Sequence, residues 1–188
     1  MATTEPIRDK KLVQALAKYW LDRGNVRNHG LIVVGVCTAL RISDVLSLRW
    51  EDVYNFELDA FRSHLTIIEG KTAKVQVIAL SRSAVAALGH MPRERHQYIF
   101  SGARDGSTPL SRVQAWRIIK AAAAAVGAPG AISCHSLRKT FGYFAWKSGV
   151  LPVMLMDLYN HSSYDITRRY LGISQDERDG VYLGLTIF

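Results

Sequence analysis

Arg41, Lys71, the pair His135-x-x-Arg138, His161 and four late tyrosines, Tyr159, Tyr164, Tyr170 and Tyr182, are the residues whose types and spacing suit chemistry. Arginine presents a planar fork that stays protonated, so two of them suit a clamp on an anion whose charge grows in the transition state. A phenol, with a reference pKa of about 10, is protonated at neutral pH and needs a base and positive charge beside it to attack. His135 and Arg138 can supply both, and a lysine on its flexible stem can donate a proton to a departing oxygen. That set describes phosphoryl transfer. Two other chemistries fit less well. The six histidines form no His-x-x-x-His pair and there are no paired cysteines, so no metal site is expected. Cys134 stands next to His135, but adjacent helical residues point in different directions, which disfavours a thiol nucleophile.

These residues need elements to bring them together. Residues 9–23 place Leu12, Leu16, Tyr19 and Trp20 at helical spacing ahead of Gly24, and residues 28–40 are apolar on nearly every side, as in a helix through the core. Ser43 is the expected cap of a short helix from Asp44, which leaves Arg41 at a helix junction. Residues 64–69 and 74–80, rich in β-branched side chains, read as a hairpin with Lys71 at its turn. A helix from Ser81 to about 91, a strand at 98–100, and a helix from Ser111 through the alanine run to Gly127 follow. Residues 135–148 predict a helix packing through Leu137, Phe141, Phe144 and Ala145, with His135, Arg138, Lys139, Gly142 and Trp146 on a free face. Two further helices are expected at about 152–159 and 163–171. One continuous helix would hold His161 and Tyr170 about 13 Å apart, so for both to converge the helix must start after His161, capped by Ser162 or Ser163. The fold class is mainly helical α+β with a small β-hairpin sheet.

In chain order, Thr38 to Asp44, Gly70-Lys71-Thr72, His135-Ser136-Leu137-Arg138-Lys139-Thr140, His161-Ser162-Ser163 and Arg168-Arg169-Tyr170 resemble the catalytic domain of the tyrosine recombinases, the phage integrase family, over about residues 25–175. The resemblance implies the DNA breaking-rejoining fold, with Arg41, Lys71, His135, Arg138, His161 and Tyr170 as the catalytic set. Tyr170 would be the nucleophile that forms a 3′-phosphotyrosine. Lys71 would protonate the departing 5′-oxygen, with Lys74 its rival. His135 would assist proton transfer, and His161 would hydrogen-bond the phosphate. Asp44, three residues after Arg41, would brace the network or simply cap its helix. Lys139 and Lys74 are the expected DNA-binding lysines. Lys139 stands where many members carry a second histidine, and Asn160 replaces the usual glycine before the second histidine; asparagine is the next best residue for a left-handed backbone position.

Composition agrees with a polyanionic partner: 24 lysines and arginines against 16 acids give a net charge of +8 over 188 residues. Length predicts one domain, with 1–175 catalytic and 176–188 a tail whose apolar end, 181–188, either docks on a neighbouring copy or folds back. The family's N-terminal core-binding domain is expected to be absent. The two cysteines and the opening residues carry no disulfide framework or secretory signal, so a soluble, cytoplasmic protein is expected, with no membrane partner. Double-stranded DNA, a homotetramer on paired sites and accessory DNA-bending proteins are the partners the resemblance implies. The resemblance also implies that no cofactor is needed, because a phosphotyrosine would conserve the bond energy for rejoining. A type IB topoisomerase would use a similar residue set, and a non-catalytic DNA-binding regulator would use the same fold.

Overall fold

The computed structural model describes residues 4–71, 73–102 and 105–185. Helix α1 (Lys10–Leu21) starts at Asp9, whose side chain accepts from the Lys11 amide, and the chain leaves it through Gly24 at φ +69°. Helix α2 (Val26–Cys37) begins two residues before the predicted start and runs through the core, with Leu31 and Ile32 fully buried. Each such side chain contributes about 1.5–3 kcal/mol. Helix α3 (Ile42–Ser47) has Arg41, not Ser43, at its N-cap, so the junction expected at Arg41 is the helix boundary itself.

Three short pieces have no counterpart in the sequence reading: α4 (Trp50–Val53), β1 (Tyr54–Asn55) and β2 (Ala60–Phe61), the two strands pairing antiparallel. The predicted hairpin is present as β3 (His64–Ile68) and β4 (Val75–Ala79), with Ile68 opposite Val75 and Lys71 in the turn. Helix α5 (Arg82–Gly89) is capped by Ser81. The strand predicted at 98–100 is not formed. Only isolated bridges, Arg49 with Tyr98 and Ser101 with Pro109, occur there, and proline cannot extend a ladder. Helix α6 (Arg112–Ala125) opens with the Ser111/Gln114 capping box.

Helix α7 (Cys134–Lys147) packs against α2 and α6, and then against α8 (Pro152–Tyr159) and α9 (Tyr164–Leu171). The face predicted to be free is largely covered, since Arg138, Lys139 and Gly142 are all buried. A Cβ at Gly142 would overlap Tyr159 and Leu171, so this close approach of α7 to the last two helices needs glycine. Asn160 closes α8 at φ +54°, the left-handed position expected of it, and Ser163 caps α9. Residues 4–8 strap across α7, with the Ile7 amide donating to Thr140 Oγ1 at 2.8 Å.

Helix α10 (Ser174–Gly184) runs through the predicted domain boundary at 175/176. Arg8 anchors its base by donating to Asp176 at 2.7 Å and to the Gly172 carbonyl at 2.7 Å. Toward its far end Val181, Tyr182, Leu183 and Leu185 are exposed, and residues 186–188 of the expected docking peptide lie outside the described residues. Among the described residues no helix is long and apolar enough to cross a membrane.

Candidate active site

A cavity of about 810 Å³ opens where α3, the β3–β4 turn, the N-terminus of α7 and the α8–α9 joint meet. Arg41, Asp44, Lys71, His135, Arg138, His161 and Tyr170 all line it, so the structure brings together the six catalytic candidates and the supporting acid.

Arg41 reaches the cavity because the chain turns sharply after α2, with Ala39 at φ +55°. The same turn aims the Ala39 carbonyl at α7, where Arg138 Nη1 donates to it. Arg138 is 5% exposed, and its guanidinium lies over the Tyr159 ring at 4.7 Å. Arg41 Nη1 is 2.7 Å from Glu69 Oε2, and Arg138 Nη1 is 3.7 Å from Glu69 Oε1. Asp44 is buried and its Oδ1 accepts from the Gly70 amide at 3.1 Å, so it holds the start of the hairpin turn; among the described residues it makes no ion pair. Lys71, next in the chain, is exposed at the cavity rim.

His161 and Tyr170 converge as the helix-start argument requires. Their rings meet edge to face at 5.3 Å, and His161 also stacks on Tyr159 at 5.6 Å. Thr167 Oγ1 lies 3.0 Å from His161 Nδ1 and orients the ring. Burial, then the charges of Arg138 and Arg41, lower the pKa of His161 below the ordinary histidine value. Burial lowers that of His135 as well, assisted by Lys139, Arg138, Arg41 and Lys71. Both imidazoles are therefore neutral at pH 7 and able to accept a proton.

The tyrosines separate by environment. The Tyr159 hydroxyl donates to the Arg138 carbonyl at 2.7 Å, and burial pushes its phenol far above the usual range. Tyr164 donates to Glu177 and is pushed up to about 12, chiefly by burial. Tyr182 is exposed near the end of α10. Burial also raises Tyr170, but there the Arg138 guanidinium, by charge and hydrogen bonding, and Arg41 pull the other way. Tyr170 is the cavity tyrosine whose phenolate two arginines favour. Cys134 also lines the cavity, with its thiol pushed up to about 11 by burial, which makes it a poor nucleophile.

The two lysines expected to bind DNA are placed differently. Lys139 is 5% exposed, with Nζ donating to the Thr4 carbonyl at 2.6 Å and lying 4.9 Å from the Tyr170 ring centre. It is a buried support beneath Tyr170 rather than a surface cation, because the strap of residues 4–8 and α9 cover it. Lys74 donates to Asn160 Oδ1, tying the hairpin to the joint before His161. Among the described residues no group of three or more His, Cys, Asp or Glu side chains could hold a metal ion.

Sequence reasoning missed Glu69, Thr167 and Arg112, the last lining the cavity from the first turn of α6, and it took Tyr159 only as a rival nucleophile to Tyr170. The signal for Glu69 was available: along β3 the inward positions alternate from Leu65 through Ile67, and the next on that face is Glu69.

The family model for the phage integrase family matches residues 7–177. The chain is 36% identical over 184 residues to the "Probable integrase/recombinase YoeC" of Bacillus subtilis, covering 97% of each. It is 27% identical over 172 residues to "Tyrosine recombinase XerD" of Mycobacterium leprae, covering 85% of this chain but 52% of that one, so it spans about half the length of that relative. The solved structure of the XerH site-specific recombinase, bound to its palindromic difH substrate after cleavage, superposes with a TM-score of 0.67 at 17% identity, covering 86% of this chain and 48% of that one.

Proposed function

The chain belongs to the phage integrase family, and on that premise we propose that it cuts and rejoins duplex DNA through a covalent bond to Tyr170. The observation that carries this reading is the placement of the Tyr170 phenol in one cavity with Arg41, Arg138, two neutral histidines and Lys71. Arg41 and Arg138 take the non-bridging oxygens of a phosphodiester, whose negative charge grows as the phosphorus becomes pentavalent. Tyr170 Oη forms the new bond to phosphorus and its proton passes to His135. The P–O5′ bond breaks, and the departing oxygen takes a proton from Lys71. The 3′-phosphotyrosine keeps the bond energy, and attack by the 5′-hydroxyl of a second strand reverses each transfer. His161 sits beside the nucleophile and hydrogen-bonds the phosphate.

Integration or excision of a mobile element is the setting this reading favours. The partners are double-stranded DNA and further copies of the chain, as a homotetramer on paired sites, with accessory DNA-bending proteins. The exposed apolar end of α10 supports docking on a neighbouring copy over folding back.

The test is covalent trapping. The protein and Tyr170→Phe are incubated, in chelator, with nicked duplexes tiled across the DNA flanking the coding sequence, then denatured. A protease-sensitive adduct from the wild type and none from Tyr170→Phe, which still binds, is the expected result. Binding without an adduct would instead make the protein a DNA-binding regulator.

A further inference from the structure

The acid expected to brace the arginines is Asp44, yet Asp44 spends Oδ1 on the Gly70 amide and makes no ion pair among the described residues. The carboxylate that both arginines meet belongs to Glu69, which is 2% exposed. Its two oxygens are divided, Oε2 lying 2.7 Å from Arg41 Nη1 and Oε1 lying 3.7 Å from Arg138 Nη1. Its backbone is fixed as well: the Glu69 amide donates to the Lys74 carbonyl at 2.9 Å and its carbonyl accepts from the Ala73 amide at 2.9 Å. A buried carboxylate is tolerated where it is paired, and two guanidinia brought close together repel unless an anion lies between them. Arg41 and Arg138 each approach Glu69 through Nη1.

We propose that Glu69 is the positioning residue of the phosphate clamp: its rigidly held carboxylate sets the spacing and tilt of Arg41 and Arg138 so that their remaining donors reach both non-bridging oxygens together. Glu69 acts through the arginines and touches neither phosphate nor nucleophile. The inference rests on the DNA-cleavage reading above.

The test compares wild type, Glu69→Gln and Glu69→Asp in single-turnover cleavage of the tiled nicked duplexes, alongside duplex binding and thermal melting without DNA. Each is repeated on duplexes whose scissile phosphate carries a neutral methylphosphonate. Glu69→Gln is expected to bind at least as well as wild type, having lost a negative charge, yet to cleave about 10- to 100-fold more slowly. That is less than the ~10²–10³ typical of losing a donor outright. Glu69→Asp, which keeps the charge but withdraws it by one methylene, should fall between them, and it carries the test alone if Glu69→Gln does not fold. On methylphosphonate the deficit relative to wild type should shrink, because a neutral group has less need of an aligned pair of cations; damage to the fold would persist there. Wild-type rates in both variants, or an equal deficit on both substrates, would overturn the proposal. Failure of the wild type to form any adduct would overturn the cleavage reading and this inference with it.

Discussion

The two sides of the cavity are built to opposite rules. On the arginine side, Arg138 is 5% exposed and held by the Ala39 carbonyl, the Tyr159 ring and Glu69, while Arg41 caps α3 against the same carboxylate. On the lysine side, Lys71 projects from a two-stranded hairpin turn and is exposed. Groups that stabilise charge are worth most when they need no reorganisation as the reaction proceeds, so burying and bracing the arginines favours the transition state. A proton donor must approach the leaving oxygen as it departs, and a flexible stem on a short turn permits that. On the proposed mechanism, that difference assigns rigidity to charge stabilisation and freedom to proton transfer.

Substituting each side should therefore produce different losses. The largest is expected for Arg138→Lys, which keeps a charge but lacks the fork and cannot serve the Ala39 carbonyl and phosphate together. Single-turnover cleavage should fall by about 10²–10³. A duplex with sulfur in place of the departing 5′-oxygen should not restore it. Lys71→Ala should cost less, about 10²-fold at the low end of general acid catalysis, and the sulfur-substituted duplex should recover most of that loss because a thiolate leaves without a proton. Equal recovery of both variants would erase the distinction. The smallest effect is on stability. His135 and His161 have pKa values lowered first by burial and then by neighbouring cations, so the unfolded chain binds more protons than the folded one just below pH 6.5. Stability should fall as pH drops through that value and level off once the folded-state pKa values are passed. Melting curves from pH 8 to 5 should show the decline, and His135→Asn with His161→Asn should flatten it.

The side of the cavity built on motifs was the more legible in the sequence. Arg41, His135, Arg138, His161 and Tyr170 stand out because their types are chemical and their order is distinctive, and the α9 start followed from the need to close a 13 Å gap estimated from helix rise. What escaped was burial. Lys139 looks like a surface cation beside Arg138, and nothing local shows that Thr4 and Tyr170, far away in the chain, cover it. Glu69 reads as an ordinary strand-end acid until β3 is given its inward register. The two-residue strands β1 and β2 are too short for any periodicity, and the apolar run at 98–100 resembles a strand but makes only isolated bridges. Long amphipathic helices carry their signal within one element; the missed residues depend on contacts between elements.

Helix α10 carries a mechanical consequence. Only Leu171, Gly172 and Ile173 separate Tyr170 from its first residue, and Gly172 sits at φ +70°, a fixed elbow. The helix has 11 residues, a rod of about 16 Å at 1.5 Å per residue. Its root is pinned to Arg8 and, through Glu177, to Tyr164 on the helix that carries Tyr170. A load on the apolar tip at Val181 to Leu185 is thus a torque delivered within one helical turn of Tyr170, and on the proposed mechanism whatever grips that tip has leverage over the nucleophile.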